Sequence, residues 1–287
     1  MEDGSVHWAR QLVRHDLWDY DLPSQPTLTE IERDGKSVPV VIQPTKMGML
    51  FTFHRDTGEP FHPIRQMPVP ASDVPGEKAW SSQPFTLKPP PLVSHDPISE
   101  EDLWAPYPGM DTGCAEQLEG FRNEGIYTPP SLQGTLMRPG IAGGSNWGSM
   151  AWHPEKQIAI ANTNDLPFLV KLIHREVFQE EMRSGEWPDW EFAPQPNTPY
   201  GMRRKPFLSK QMMPCTQPPW GTLSAVDMKA GEILWQVPVG TIQDVAPLPL
   251  DWNLGVYSMG GPMITASGLV FIAAAQDDFL RAFDLVT

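Results

Sequence analysis

A unit of strand, polar turn and second strand recurs along this chain, and it constrains the fold more than any single motif. Each copy presents a flat apolar face that only another sheet can cover. The clearest copy spans residues 222–239, where Leu223-Ser224-Ala225-Val226-Asp227 leads through Lys229, Ala230 and Gly231 into Glu232-Ile233-Leu234-Trp235-Gln236-Val237. Alternation on both sides of a short turn is a hairpin signature. Residues 268–284 give a second copy, with a strand over 269–275, a turn at Gln276-Asp277-Asp278 and a strand over 279–284. Residues 49–58, containing Arg55-Asp56-Thr57-Gly58, and residues 156–173 are partial copies. The opening Asp3-Gly4-Ser5-Val6-His7-Trp8 matches Ala230-Gly231-Glu232-Ile233-Leu234-Trp235, the second half of the unit.

Repeated antiparallel sheets with a tryptophan at a fixed place are what a β-propeller requires, although a two-sheet sandwich uses similar hairpins. The chain starts inside one unit, and the 222–239 copy would continue past the equivalent of Thr287, so we expect a piece of a longer protein. Two irregular insertions separate the repeats. Residues 68–108 are proline-dense, and Lys88-Pro89-Pro90-Pro91-Leu92 should be extended. Residues 118–124 with their flanks predict one short helix ending near Gly125. Residues 175–214 are polar, rich in Trp and Pro, and without period; long ordered loops of this kind serve a site or an interface.

The formal charge of −14 argues against a nucleic-acid groove, which needs a concentrated basic surface. The cluster Arg203-Arg204-Lys205 is too short to change that. The 33 prolines and 11 tryptophans, set among scattered strands, read as a loop-rich globular protein rather than disorder. No signal peptide is expected from Met1-Glu2-Asp3-Gly4, and the longest apolar run, residues 269–275, is far too short to span a bilayer. Cys114 and Cys215 allow one disulfide or two ordinary buried thiols.

Chemistry concentrates in a few places. In His15-Asp16-Leu17-Trp18-Asp19-Tyr20-Asp21-Leu22-Pro23 three acids alternate with large apolar side chains. A carboxylate partly dried beside an indole, Asp19 above all, moves toward the range a general base needs; a turn with solvated acids is the plain alternative. Lys46, in Pro44-Thr45-Lys46-Met47-Gly48, could face a cleft and stabilise a developing oxyanion, or merely be solvated. Thr128-Pro129-Pro130-Ser131-Leu132-Gln133-Gly134-Thr135-Leu136 is a rigid polar segment. In Gly143-Gly144-Ser145-Asn146-Trp147-Gly148 glycines let backbone approach a ligand, Asn146 offers donor and acceptor, and Trp147 a flat face. At Gly260-Gly261-Pro262 backbone could approach a central channel, or simply turn. The seven histidines show no zinc-binding spacing, and no Gly-x-Ser-x-Gly elbow is present. Asp16 with Asp19 or Asp21 would make a poor glycosidase pair, since near neighbours on one strand rarely face each other across a substrate.

Taken together, the segment 15–28, Thr45-Lys46-Met47-Gly48, Pro68-Val69-Pro70-Ala71-Ser72-Asp73, Glu124-Gly125-Ile126-Tyr127-Thr128-Pro129-Pro130-Ser131 and Asn146-Trp147-Gly148 resemble the membrane-associated quinoprotein dehydrogenases, in particular their glucose and quinate branch. The resemblance implies an all-β fold, a partial eight-bladed β-propeller with four-stranded antiparallel blades and long loop insertions. Residues 1–287 would form a single incomplete domain, truncated at both ends, close to the second half of the ring. It implies pyrroloquinoline quinone across the channel beside Ca2+, whose ligands lie mostly upstream, so no metal ligand is assigned here. Asp19 matches the family's base, Lys46 the residue at the quinone oxygens, and Asn146 the asparagine near the reactive carbonyl; Trp147 and Gly260 complete the expected cofactor contacts. Met259 stands where relatives that oxidise simple alcohols carry a tryptophan. The expected partners are a sugar or cyclic polyol and ubiquinone, at the periplasmic face of the bacterial inner membrane. A Cys114–Cys215 bridge would suit that setting. The competing expectation is a binding propeller without catalysis.

Overall fold

A two-residue turn at Asp34-Gly35 joins the first two strands, with Val38, Val40 and Ile42 alternating along the second and Ile31 on the first set opposite Val38. Both turn residues have positive φ (52° and 74°), the geometry a two-residue hairpin needs. The structure, a computed structural model, describes residues 3–244, 252–273 and 275–286. Strands β1 (Thr27–Arg33), β2 (Lys36–Pro44) and β3 (Leu50–His54) form a sheet in chain order, and β4 (Ile64–Pro68) pairs with β5 (Ser82–Thr86). Then come helix α1 (Cys114–Glu119) and strands β6 (Thr135–Met137), β7 (Met150–His153), β8 (Ile158–Asn164) and β9 (Phe168–His174). Helix α2 (Arg175–Ser184) is followed by β10 (Glu191–Pro194), β11 (Tyr200–Pro206), β12 (Gly221–Asp227) and β13 (Glu232–Pro238). A last sheet contains β14 (Met263–Ile264), β15 (Leu269–Ile272) and β16 (Arg281–Asp284).

Every named strand pairing is antiparallel. The central sheet runs β13-β12-β8-β7, and its strand β8 is buried along all 7 residues because both of its faces are covered. Ala159 and Ala161 pack toward Val40, Ile42 and Leu50 of the first sheet. Ile158 and Ile160 pack toward Val270 and Ile272 of the last. Three sheets thus stack face on face as successive blades do. The recurring tryptophan ties neighbouring units together: Trp235 Nε1 donates to Leu285 O at 3.0 Å, just past β16, and Trp8 Nε1 donates to Arg55 O at 2.8 Å, just past β3.

The hairpins of residues 222–239 and 268–284 are present, with shorter strands in the second. Several expectations need correction. Residues 156–173 are no hairpin: β8 pairs with β7 and β12, whereas β9 lies in a second four-stranded sheet, β10-β11-β9-β6. Residues 3–8 form no strand, although Trp8 keeps its docking role. The short helix starts earlier, at Cys114, and stops at Gly120, because residues 121–124 turn away to bond elsewhere: Arg122 N donates to Gly134 O at 2.9 Å. Residues 175–214 are not an irregular loop but hold α2, β10 and β11, which leave the central sheet after β8 and return at β12. The base of that excursion is fastened by the Cys114–Cys215 disulfide, whose Cα atoms are 5.6 Å apart and 101 residues distant in sequence. The two sulfurs are buried with Leu136, Leu169 and Phe207.

Candidate functional site

Residues 15–21 place their apolar and acidic side chains on opposite sides of a sharply turned backbone. Asp19 has φ 64°, a left-handed conformation that aspartate tolerates better than most residues. Trp18 is buried to 1% exposure; its Nε1 donates to Thr128 O at 2.9 Å and its ring meets Tyr127 edge-on at 5.0 Å. The Asp19 side chain points the other way and is 61% exposed. The drying beside an indole expected from the sequence is therefore not what defines this carboxylate. The phenols of Tyr20 and Tyr127, in the same aromatic cluster, are pushed up by burial and stay neutral.

What defines Asp19 is Lys46. The lysine sits in the β2–β3 turn, where Gly48 N donates to Thr45 O at 2.9 Å and His95 Nε2 donates to Met47 O at 2.7 Å. Its side chain is only 9% exposed. The ammonium donates to Asp19 O at 2.8 Å and to Asp21 Oδ1 at 2.5 Å, and stands 3.3 Å from Asp19 Oδ2. A buried cation with three oxygen partners is satisfied, and it fixes two acids at once.

Residues 143–148 close against that turn through backbone. Gly144 N donates to Lys46 O at 2.5 Å, and Ser145 N to Thr45 O at 3.2 Å. Gly143 has φ +73°, and a Cβ there would run into the Lys46 side chain. A Cβ on Gly148 would lie 2.5 Å from Gly260 O, so this loop also presses on the 258–261 segment. Asn146 spends its amide on its own loop, Nδ2 donating to Ala142 O at 2.6 Å and Oδ1 accepting from Trp147 N at 2.8 Å. Trp147 projects outward, 77% exposed. Met259 Sδ accepts from the Tyr257 hydroxyl at 2.8 Å, and burial pushes that phenol up against the opposing pull of Lys46. Gly260 stands behind this wall, where its carbonyl accepts from Asn162 Nδ2 at 2.9 Å.

Asp19, Lys46, Asn146, Trp147 and Met259 line one cavity of about 460 Å³, with Tyr257 beside them. Facing them are Glu191, Arg204 and Gln276. Five of the six residues singled out from the sequence thus meet at one place, and Gly260 supports it from behind. The 128–136 segment is a buttress: Thr128 receives the Trp18 indole, and Thr135 Oγ1 donates to Pro129 O at 2.7 Å. Sequence reasoning missed Arg204, Glu191, Tyr257 and Gln276. For Arg204 a signal existed in strand alternation, which puts Arg203 and Arg204 on opposite faces of β11. Arg203 lies beneath Trp187 and Trp190, bonded to Glu181 at 2.9 Å, and Arg204 reaches the cavity. Among the described residues no three His, Cys, Asp or Glu side chains gather so as to hold a metal ion, and no helix is long and apolar enough to cross a membrane.

The family described as glucose/ethanol/alcohol dehydrogenase, β-propeller domain, under the short name PQQ, matches residues 1–287. Quinoprotein glucose dehydrogenase of Escherichia coli is 40% identical to this chain, over 98% of the chain and 36% of that protein. Quinate/shikimate dehydrogenase (quinone) of Acinetobacter baylyi is 36% identical, over 98% of the chain and 36% of that protein. The glycerol dehydrogenase large subunit of Gluconobacter oxydans is 37% identical, over 99% of the chain and 40% of that subunit. The chain therefore spans between 36% and 40% of the length of these curated relatives. Among solved structures, a europium-containing methanol dehydrogenase aligns with a TM-score of 0.53 at 17% identity, covering 96% of this chain and 35% of that one. Quinohemoprotein alcohol dehydrogenase from Comamonas testosteroni aligns with a TM-score of 0.52 at 20% identity, over 98% of this chain and 32% of that one. At such identities the likeness is one of fold.

Proposed function

The chain belongs to the glucose/ethanol/alcohol dehydrogenase β-propeller family, and from that premise we propose that it supplies the proton-accepting half of a site that oxidises a sugar or cyclic polyol hydroxyl. The observation that carries this reading is the Asp19–Lys46 pair, an acid held 3.3 Å from a buried ammonium on the wall of a cavity.

Pyrroloquinoline quinone is a flat tricarboxylate: the open face of Trp147 suits its ring, and the Lys46 ammonium and the Gln276 amide line the same space, whereas Arg204 is held by Glu191 and Asn146 by its own loop. Lys46 and Trp147 would hold it, with Asn146 and Met259 beside them. When bound, the group supplies the acceptor for the hydride that leaves the substrate carbon. Calcium finds no set of carboxylate ligands among the described residues, and no step here is assigned to it.

Asp19 does the rest of the work. As the alcohol carbon becomes a carbonyl it loses a hydride and the oxygen loses its proton, and the proton passes to an Asp19 carboxylate oxygen. Lys46 orients that carboxylate through Asp19 O and Oδ2. Once Asp19 is protonated, Asp21 still balances the ammonium at 2.5 Å, so the buried charge is never left alone. Positioning of this kind is how a fixed acid–base group raises a rate. Electrons then pass to a quinone, ubiquinone at the periplasmic face of the inner membrane, a reading supported by the similarity to quinate/shikimate dehydrogenase (quinone).

The complete protein that carries this chain, supplied with pyrroloquinoline quinone and calcium, should reduce a dye with glucose or another polyol. Absence of turnover with every polyol, although the cofactor binds, would leave a binding propeller instead.

A further inference from the structure

A second cavity, of about 410 Å³, adjoins the first and shares Asp19, Ile141 and Arg204 with it. Asp19 thus stands at the junction of two spaces. If the flat redox group lies on the Lys46 side, the alcohol must reach Asp19 from the other. One part of the second cavity is apolar, with Leu17, Met137, Val170 and Met202. The rest offers Asp16, Asp19, Gln195 and Arg204. Planar side chains that present two polar atoms side by side match vicinal hydroxyls, while an apolar wall matches the C–H face of a ring.

Charge narrows the choice further. Glu191 and Arg204 face each other directly across β10 and β11. Arg204 Nε and Nη2 donate to the two Glu191 oxygens at 2.9 and 2.8 Å, a bidentate pair that holds the Glu191 carboxyl below its usual range and therefore ionised. The guanidinium charge is thereby spent within the protein, and among the described residues no acceptor takes its Nη1 edge. Two carboxylates, Asp16 and Asp19, line the second cavity, and its single guanidinium is already paired with Glu191 in the adjoining one; Lys46 and Asp21 offset each other. A carboxylated substrate would enter a net negative space, and like charges brought together cost affinity.

Resting on the reading of Asp19 above, we propose that the second cavity is the substrate subsite and that the Glu191-held Arg204 makes it select an uncharged polyol or pyranose over a carboxylated cyclitol. The inserted strands β10 and β11 then carry the selectivity, separately from the turns that hold the acid and the ammonium.

The test uses the complete, cofactor-loaded protein with D-glucose and quinate as probes. The wild type should favour glucose by at least ~10-fold in kcat/KM, because a like charge brought into the subsite costs affinity. Glu191→Gln releases the guanidinium charge and should raise the quinate-to-glucose ratio about tenfold. Arg204→Gln should raise the KM for glucose more than it lowers kcat, as loss of a binding contact does. Arg204→Lys, which keeps the charge but loses the fork, should move KM the same way and serves if the first variant unfolds. Calorimetric binding of both probes to a slow Asp19→Asn protein should reproduce the preference without turnover. Preference of the wild type for quinate, or a ratio unmoved by Glu191→Gln, would overturn the assignment. Oxidation of neither probe would instead overturn the proposed function itself, and this assignment with it.

Discussion

The two walls of the Lys46 cavity are built on different principles. On one side three turns, residues 45–48, 143–148 and 258–261, lock together through backbone hydrogen bonds and glycine contacts. On the other, the paired strands β10 and β11 present Glu191 and Arg204 from an excursion out of the central sheet, and what faces the cavity is a side-chain pair. A backbone lock tolerates almost no substitution, whereas a side-chain pair can be exchanged while its strands stay paired. The lesson is a division of labour: chemistry is kept where the chain cannot vary, and choice of substrate where it can.

The comparison can be broken from the side-chain wall first. Cys114→Ser with Cys215→Ser removes the fastening at the base of the excursion, and loss of a long-loop disulfide typically costs about 2–5 kcal/mol. The expected result, read by thermal unfolding, is a large loss of stability with selectivity between glucose and quinate blurred in whatever protein remains folded. Little change in either would mean that the inserted sheet holds itself. Gly143→Ala attacks the backbone wall: a side chain at φ +73° pressed into Lys46 should cost about 2–4 kcal/mol and weaken cofactor retention. Full stability in that variant would show the lock to be loose.

A smaller effect sharpens the picture at the rim. The Asp277 carboxyl, fully covered, accepts from both Arg281 nitrogens and from Thr241 N; the Arg281 bonds, above all, lower its pKa from 3.8 to about 2. Its folded-state pKa is depressed, so the stabilisation is complete above about pH 4 and disappears as pH falls through 2. Denaturant unfolding between pH 5 and 2 should show on the order of 1–2 kcal/mol of pH-dependent stability that Asp277→Asn lacks. Parallel curves for the two proteins would remove Asp277 from the account.

Much of this was legible in the chain because period-2 alternation reports burial directly. The 222–239 hairpin and the fixed place of its tryptophan, Trp235, follow from apolar residues seeking an opposed surface. Asp19, Lys46, Asn146 and Trp147 stood out by residue type and local sequence, and then again by motif resemblance; the fold brings them to one cavity. What was not legible has two causes. Interleaving of sheets is set by long-range pairing, so β8 and β9 read as one hairpin although their partners lie 50 or more residues away for β12 and nearer for β11. The direction of a side chain at a turn depends on φ, so the exposure of Asp19 and the burial of Trp18 could not be told from their adjacency. Arg204 was overlooked because a run of basic residues was read as one patch, when alternation divides it between two faces.

The central claim is that the Asp19 carboxylate, fixed by Lys46, accepts the substrate's proton. Single-turnover absorbance of the bound redox group after mixing with glucose measures that step apart from electron release to the membrane. In the complete protein carrying Asp19→Asn, the account predicts wild-type cofactor content and a reduction rate lower by ~10²–10⁴-fold. An unchanged rate at equal cofactor content would contradict it.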